Sequence, residues 1–168
     1  FGEFVNTAYS SAAFYSNFLF WTEDTYSAEP SRLKFLLHTW SLSIEEQFYI
    51  IYPLLLFFLF KTNQFKKYLI IIFTISLFSS CIFSVTNPSA NFFLMPTRIW
   101  EFLLGAITFL FQHELRQKIL LLSKYLIDFL FIILLLFLLF FKINFYHPSI
   151  ITLIPLLIAA LLILNTNN

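Results

Sequence analysis

Four stretches of this chain run in nearly unbroken Phe, Leu and Ile: Tyr68 to Val85, Pro96 to Phe111, Tyr125 to Phe141 and Ser149 to Leu164. Little else can be made of such runs than helices in lipid. Unpaired amides cannot sit in hydrocarbon, and the alternation along these runs is too poor for a barrel. Two further stretches, Phe4 to Trp21 and Trp40 to Phe60, approach the roughly 20 apolar residues that a spanning helix needs. The first is the weakest of the six, because Asn6, Thr7, Ser10, Ser11, Ser16 and Asn17 make it polar enough to be internal or broken. The expected fold is an all-α, polytopic helical membrane protein with about six transmembrane helices, part of a larger helical bundle.

Composition agrees with that class. Hydrophobic residues make up 60% of the chain and charged ones 11%, with 25 phenylalanines against two glycines, which is more grease than a soluble core of this length requires. Ten basic and nine acidic side chains nearly cancel. No basic stretch is long enough for a nucleic-acid footprint, so no nucleic-acid partner is expected. The single cysteine, Cys81, lies inside an apolar run, which leaves no disulfide framework and no thiol metal site. No metal is expected.

Orientation follows from the short loops. Lys61, Lys66 and Lys67 fall between the second and third spans, and Arg116, Lys118 and Lys124 between the fourth and fifth. Both loops should be cytoplasmic. Alternation then places Thr22 to Thr39, Thr86 to Met95 and Lys142 to Pro148 outside. The chain has no initiating methionine and stops just after a span, so it reads as a fragment, residues 1–168 forming the central part of a membrane domain with no separate soluble domain.

Polar groups inside the spans carry the functional signal, since ionisable residues at membrane depth are costly. Ser41, Glu45, Tyr49 and Pro53 recur every fourth residue and form a slanted ridge on one helix. Pro53 gives no amide hydrogen to the carbonyl of Tyr49 and bends the helix beside that ridge. Glu45 lies near the outer end, where helix dipoles favour an anion. Glu46 has a purely structural explanation: Ser43 and Glu46 have the spacing of a capping box. Arg98 and Glu101, three residues apart, can interact on the fourth span, with Trp100 suited to an interfacial belt and Gly105 to close helix approach. A snorkelling anchor explains that pair as well as a cavity-lining role does. Asp128 reads as a boundary charge. His113 and His147 belong to ordinary loops, whereas His38 abuts the ridge. No hydrolase elbow, phosphate loop or zinc motif is present.

The run Leu37-His38-Thr39-Trp40-Ser41-Leu42, continued by Glu45, Tyr49 and Pro53, resembles the signature of the acyltransferase-3 family of bacterial membrane O-acyltransferases, with nine matching residues in seventeen. Ser16-Asn17-Phe18 and Tyr26 upstream, and Arg98, Trp100, Glu101, Leu103 and Gly105 downstream, are similar to further stretches of the same proteins. The resemblance implies a multi-pass enzyme of the bacterial inner membrane. It would take an acyl group, usually acetyl, from acetyl-CoA inside and place it on a hydroxyl of a glycan outside: O-antigen of lipopolysaccharide, peptidoglycan or an exported polysaccharide. Membrane lipid is the surrounding partner. Glu45, Tyr49, Ser41 and His38 would then support catalysis, and Trp40, Arg98 and Glu101 would bind substrate. The family's catalytic histidine follows a basic residue eleven positions earlier, and none of the three histidines here does so. That histidine, the donor site and the family's other arginine and histidine motifs are expected outside this stretch. Two other readings fit the same spans: a transporter or flippase subunit with carboxylates around a kinked helix, and an inactive product of an interrupted gene.

Overall fold

A computed structural model of the chain describes residues 2–23, 36–62, 64–119, 124–140 and 148–165. Among these residues every regular element is helical: α1 Gly2–Ala12, α2 Ser16–Thr22, α3 Thr39–Leu59, α4 Phe65–Thr86, α5 Pro88–Phe93, α6 Ile99–Leu110, α7 Gln112–Ile119, α8 Lys124–Phe140 and α9 Leu153–Asn165. Tight 3-10 turns at Met95–Thr97 and Ile150–Thr152 lead into α6 and α9.

The helices α3 and α4 have the length and hydropathy of membrane spans, and only 17% and 22% of their most apolar stretches is buried. A core helix of a soluble protein hides most of its apolar surface. Here Ile50, Phe57, Phe58, Ile75 and Phe78 stand outward, as side chains facing lipid do. The helices α6, α8 and α9 are apolar but shorter, at 12, 17 and 13 residues.

Packing centres on Ile44 and Phe48 of α3, Leu69 of α4, Met95, and Leu103 of α6. Phe48 stacks on Phe102 with ring centroids 4.8 Å apart, and on Tyr52 at 5.0 Å. The helix α6 lies between α4 on one side and α9 on the other.

The two basic connections meet. Lys66 at the start of α4 pairs with Glu114 of α7 at 3.2 Å, and its ammonium lies 4.5 Å from the centre of the Phe111 ring. The α3–α4 and α6–α7 connections therefore share one end of the bundle, as the cationic loops predict. The opposite end gathers α2, the start of α3, α5 and Pro148. Asn17 donates to the carbonyl of Phe93 at 3.0 Å, and Ser80 and Asn91 both donate to that of Pro148 at 3.2 and 2.7 Å.

Several expectations change. The stretch Phe4 to Trp21 is two helices, not one span. The first ends in a left-handed residue, Phe14 with φ 58°, closed by bonds from Tyr15 N–H to the Ser10 carbonyl and from Phe14 N–H to that of Ser11. That is the Schellman arrangement with phenylalanine in the glycine position. The expected outer loop Thr86 to Met95 contains α5, whose Ala90, Asn91 and Phe93 are buried; Asn87 caps it by accepting from the Ala90 N–H at 3.1 Å, and Pro88 suits its first turn. The stretch Pro96 to Phe111 is helical in α form only from Ile99, because Pro96 lacks an amide and Thr97 bonds back to the carbonyls of Asn91 and Leu94. The Ser43–Glu46 capping box does not exist. The helix starts a turn earlier, at Thr39, and Ser43 lies inside it, bonded to Ser16 at 2.7 Å. Trp100 is fully buried, edge-on to Phe73, instead of lying in an interfacial belt. No neighbour approaches within 4 Å of a Cβ placed on Gly105, so it is not a close-approach point. Tyr26, His147 and the charged loop residues Asp24, Glu29, Arg32, Lys34 and Lys142 lie outside the described residues.

Candidate functional site

The site is assembled at the end of the bundle opposite the basic loops. The Met95–Thr97 turn delivers Arg98 to the head of α6, and α6 carries Glu101 in its first turn. The guanidinium of Arg98 donates through Nη2 and Nε to Glu101 Oε2, at 3.2 and 3.4 Å, and through Nη1 to the carbonyl of Phe92 at 3.3 Å. It also lies over the Trp40 ring, 4.9 Å from its centre, and 5.7 Å from that of Phe92.

Trp40 is held in turn. Its ring tilts against Phe92 at 4.4 Å and meets Phe93 edge-on at 5.6 Å. The side chains of Arg98 and Glu101 are only 13% and 14% exposed, so the pair is an internal one and not a snorkelling anchor. Trp40, distant in sequence, thus forms one cluster with Arg98 and Glu101. One carboxylate oxygen is left over. Glu101 Oε1 is buried without a hydrogen-bond partner among the described residues, an arrangement that leaves a strong acceptor for a bound group.

The other candidate residues stand differently. His38 precedes α3, exposed, and gives that helix no side-chain cap. Its carbonyl accepts the Ser41 hydroxyl at 3.1 Å, which occupies that hydroxyl locally. Glu45 is half-buried and makes no hydrogen bond or ion pair with a described residue, and Tyr49 is 60% exposed. The ridge Ser41, Glu45, Tyr49 and Pro53 starts beside the Trp40 cluster, half-buried at Ser41 and Glu45, and is exposed at Tyr49 and Pro53. Pro53 lies within the helix as expected.

A second polar ridge on α3 escaped the sequence reading although its spacing is the same. Thr39, Ser43 and Gln47 also recur every fourth residue. Thr39 bonds to Ser11 at 2.7 Å and to Ser16 at 3.2 Å, and Ser43 to Ser16. Gln47 donates to the Asn17 side chain at 2.9 Å and to the Phe14 carbonyl at 2.8 Å. This ridge docks α1 and α2 and fixes Asn17, which holds the Phe93 carbonyl beside Trp40. No group of three or more possible metal ligands occurs among the described residues.

A family model described as an acyltransferase domain matches residues 4–168. The chain belongs to the acyltransferase-3 family. The match covers the α3 ridge, the Trp40 cluster and the last helix alike, so all the site residues lie within the acyltransferase-3 domain. An uncharacterised protein of Haemophilus influenzae is 31% identical over 130 residues, covering 71% of this chain and 52% of that relative. The chain thus spans about half the length of the curated relative that it matches. No solved structure matches it.

Proposed function

We propose that this chain is part of an integral membrane O-acyltransferase of the bacterial inner membrane, carrying an acyl group, acetyl in the first instance, from a cytoplasmic coenzyme A thioester to a hydroxyl of a cell-surface glycan. The acyl-transfer class follows from membership of the acyltransferase-3 family. The observation that carries the site reading is the meeting of two separated family-like motifs, at Trp40 and at Arg98 to Glu101, in one internal cluster.

The chemistry needs a hydroxyl made nucleophilic and an oxyanion stabilised as the acyl carbonyl is attacked. In this reading Glu45 and Tyr49 serve the first need from the open face of α3. Glu45 accepts a hydrogen bond from the acceptor hydroxyl or orients an imidazole supplied by another part of the enzyme, and the Tyr49 phenol donates to an acyl or sugar oxygen. Arg98, locked between Glu101, the Phe92 carbonyl and the Trp40 face, supplies fixed positive charge. Glu101 Oε1 accepts from a sugar hydroxyl. His38, at the mouth of the same end, faces the acceptor side.

Placing the cluster on the acceptor side rests on the cationic loops, which share the opposite end of the bundle and point to the cytoplasm. Coenzyme A would therefore enter from the end where Lys66 and Arg116 lie.

The test uses the full-length protein in inverted membrane vesicles supplied with radiolabelled acetyl-CoA, following label in glycan. A Glu45→Gln change keeps shape and removes charge; it is expected to lower transfer by about 100-fold or more, the usual range for a lost general base or its orienter. Undiminished transfer would remove Glu45 from the chemistry.

A further inference from the structure

Between α6 and α9 runs a cleft of about 210 Å³ that reaches from Glu101 at one end to Arg116 at the other. Its walls are mostly apolar, with Leu104, Phe109, Leu156, Ala160 and Ile163, interrupted by Thr108 and Gln112. Phe109 and Ile163 on its rim are 69% and 64% exposed, so the cleft opens sideways onto the face that meets lipid. Beside Gly105 it is empty, since a Cβ there would find nothing within 4 Å.

Arg116 closes the basic end. Its Nε donates to the carbonyl of Leu164 at 3.1 Å, which pins the guanidinium across the end of α9, while Nη2 is buried with no hydrogen-bond partner among the described residues. A buried guanidinium nitrogen without an acceptor is a cost that an anionic oxygen removes. Glu114, the nearby acid of α7, is paired with Lys66 and is 63% exposed, so it does not supply that oxygen.

We infer that the α6/α9 cleft is a binding site for an anionic phospholipid, its phosphate on Arg116 and one acyl chain along α6 toward Gly105. The dimensions agree. The eleven residue steps from Gly105 to Arg116 rise about 17 Å if fully helical, close to the ~15 Å of one hydrocarbon leaflet. The chain would stop short of the Glu101 carboxylate. Basic pockets between membrane helices on the cytoplasmic side take anionic headgroups for the same electrostatic reason. The inference needs the chain to lie in a membrane but does not need acyl transfer, and its readout is lipid binding alone.

The experiment is native mass spectrometry of the delipidated full-length protein in detergent, titrated with phosphatidylglycerol and, in parallel, with phosphatidylcholine. One phosphatidylglycerol should bind in preference. Arg116→Gln should weaken it about fivefold, the effect of one basic group near an anionic headgroup, and Arg116→Lys should restore part of that loss. Gly105→Leu, whose Cβ enters open space and whose branch fills the cleft, should abolish the preference, and retention of the wild-type thermal midpoint shows that it folds. Equal binding of the two lipids, or a preference unchanged by Arg116→Gln and Gly105→Leu, would overturn the site. So would one-for-one displacement of the lipid by free coenzyme A, which would assign the guanidinium to the acyl donor.

Discussion

The side chain on which most depends is Arg98, because it ties together four groups that come from three parts of the chain: Trp40, Phe92, its carbonyl included, and Glu101. Removing it strands a carboxylate in an interior position. An Arg98→Gln change should cost about 3–5 kcal/mol, as breaking a buried pair generally does, whereas the double change Arg98→Gln with Glu101→Gln should recover much of that loss. Thermal unfolding of the full-length protein in detergent checks this; equal destabilisation in the single and double variants would mean that the pair's charge is not what holds the cluster. The partnership of Arg98 and Glu101 was legible from their spacing on a helix, and so was the importance of Trp40 from its motif. Their meeting was not, because it depends on α5 folding back to put Phe92 and Phe93 against Trp40, a long-range packing that no local periodicity encodes. Trp100 misled for the converse reason: a tryptophan next to an ion pair looks interfacial, yet its backbone N–H bonds to Ser76 and its ring is enclosed by α4.

At the scale of elements, the apolar runs gave away α3 and α4, which have the length and hydropathy of spans and are joined by a connection carrying Lys61, Lys66 and Lys67. The breaks were harder to see. Phe14 adopts a left-handed conformation that costs a non-glycine residue roughly 1–2 kcal/mol, and nothing in its side chain advertises this; the compensation is the Gln47 bond to its carbonyl and the polar ridge that holds α1 and α2 against α3. A Phe14→Gly change should therefore keep the break and raise the unfolding free energy by up to about 1 kcal/mol, read as a higher thermal midpoint. A lower midpoint would show that the Phe14 ring, and not the turn geometry, stabilises this corner. The helix α5 was masked by its brevity and by the Asn-Pro pair that opens it, which reads equally as a turn and as a helix start.

For the whole molecule, the side-chain contact between Lys66 and Glu114 turns a statistical rule about cationic loops into a spatial one: both basic connections lie at one end, and the Trp40 cluster lies at the other. Single cysteines placed in a cysteine-free background of the full-length protein, Cys81→Ser included, test this orientation. Thr62→Cys and His113→Cys, on exposed or half-buried positions of the basic end, should be modified by a membrane-impermeant maleimide only in inverted vesicles, and His38→Cys only in intact spheroplasts. Labelling of all three from one side would dismantle the membrane arrangement. What the sequence could not supply was the distribution of burial around α3. Its Glu45 ridge is half-buried at Ser41 and Glu45 and exposed at Tyr49 and Pro53, while the Thr39, Ser43 and Gln47 ridge is bonded inside the bundle, and periodicity alone weighs the two equally.

We propose that the Trp40, Arg98 and Glu101 cluster serves acyl transfer and not merely folding. The most direct measurement compares acetyl-CoA-dependent labelling of glycan by the wild-type full-length protein and by its Arg98→Lys and Glu101→Gln variants, at equal amounts of folded protein in the membrane. Lysine keeps the charge but loses the planar fork and its hold on the Phe92 carbonyl. Both variants are expected to persist in the membrane while transfer falls by about tenfold or more, the scale of one charged hydrogen bond. Wild-type rates in both variants would contradict it, and would leave the cluster as the clasp that joins α5 to the head of α6.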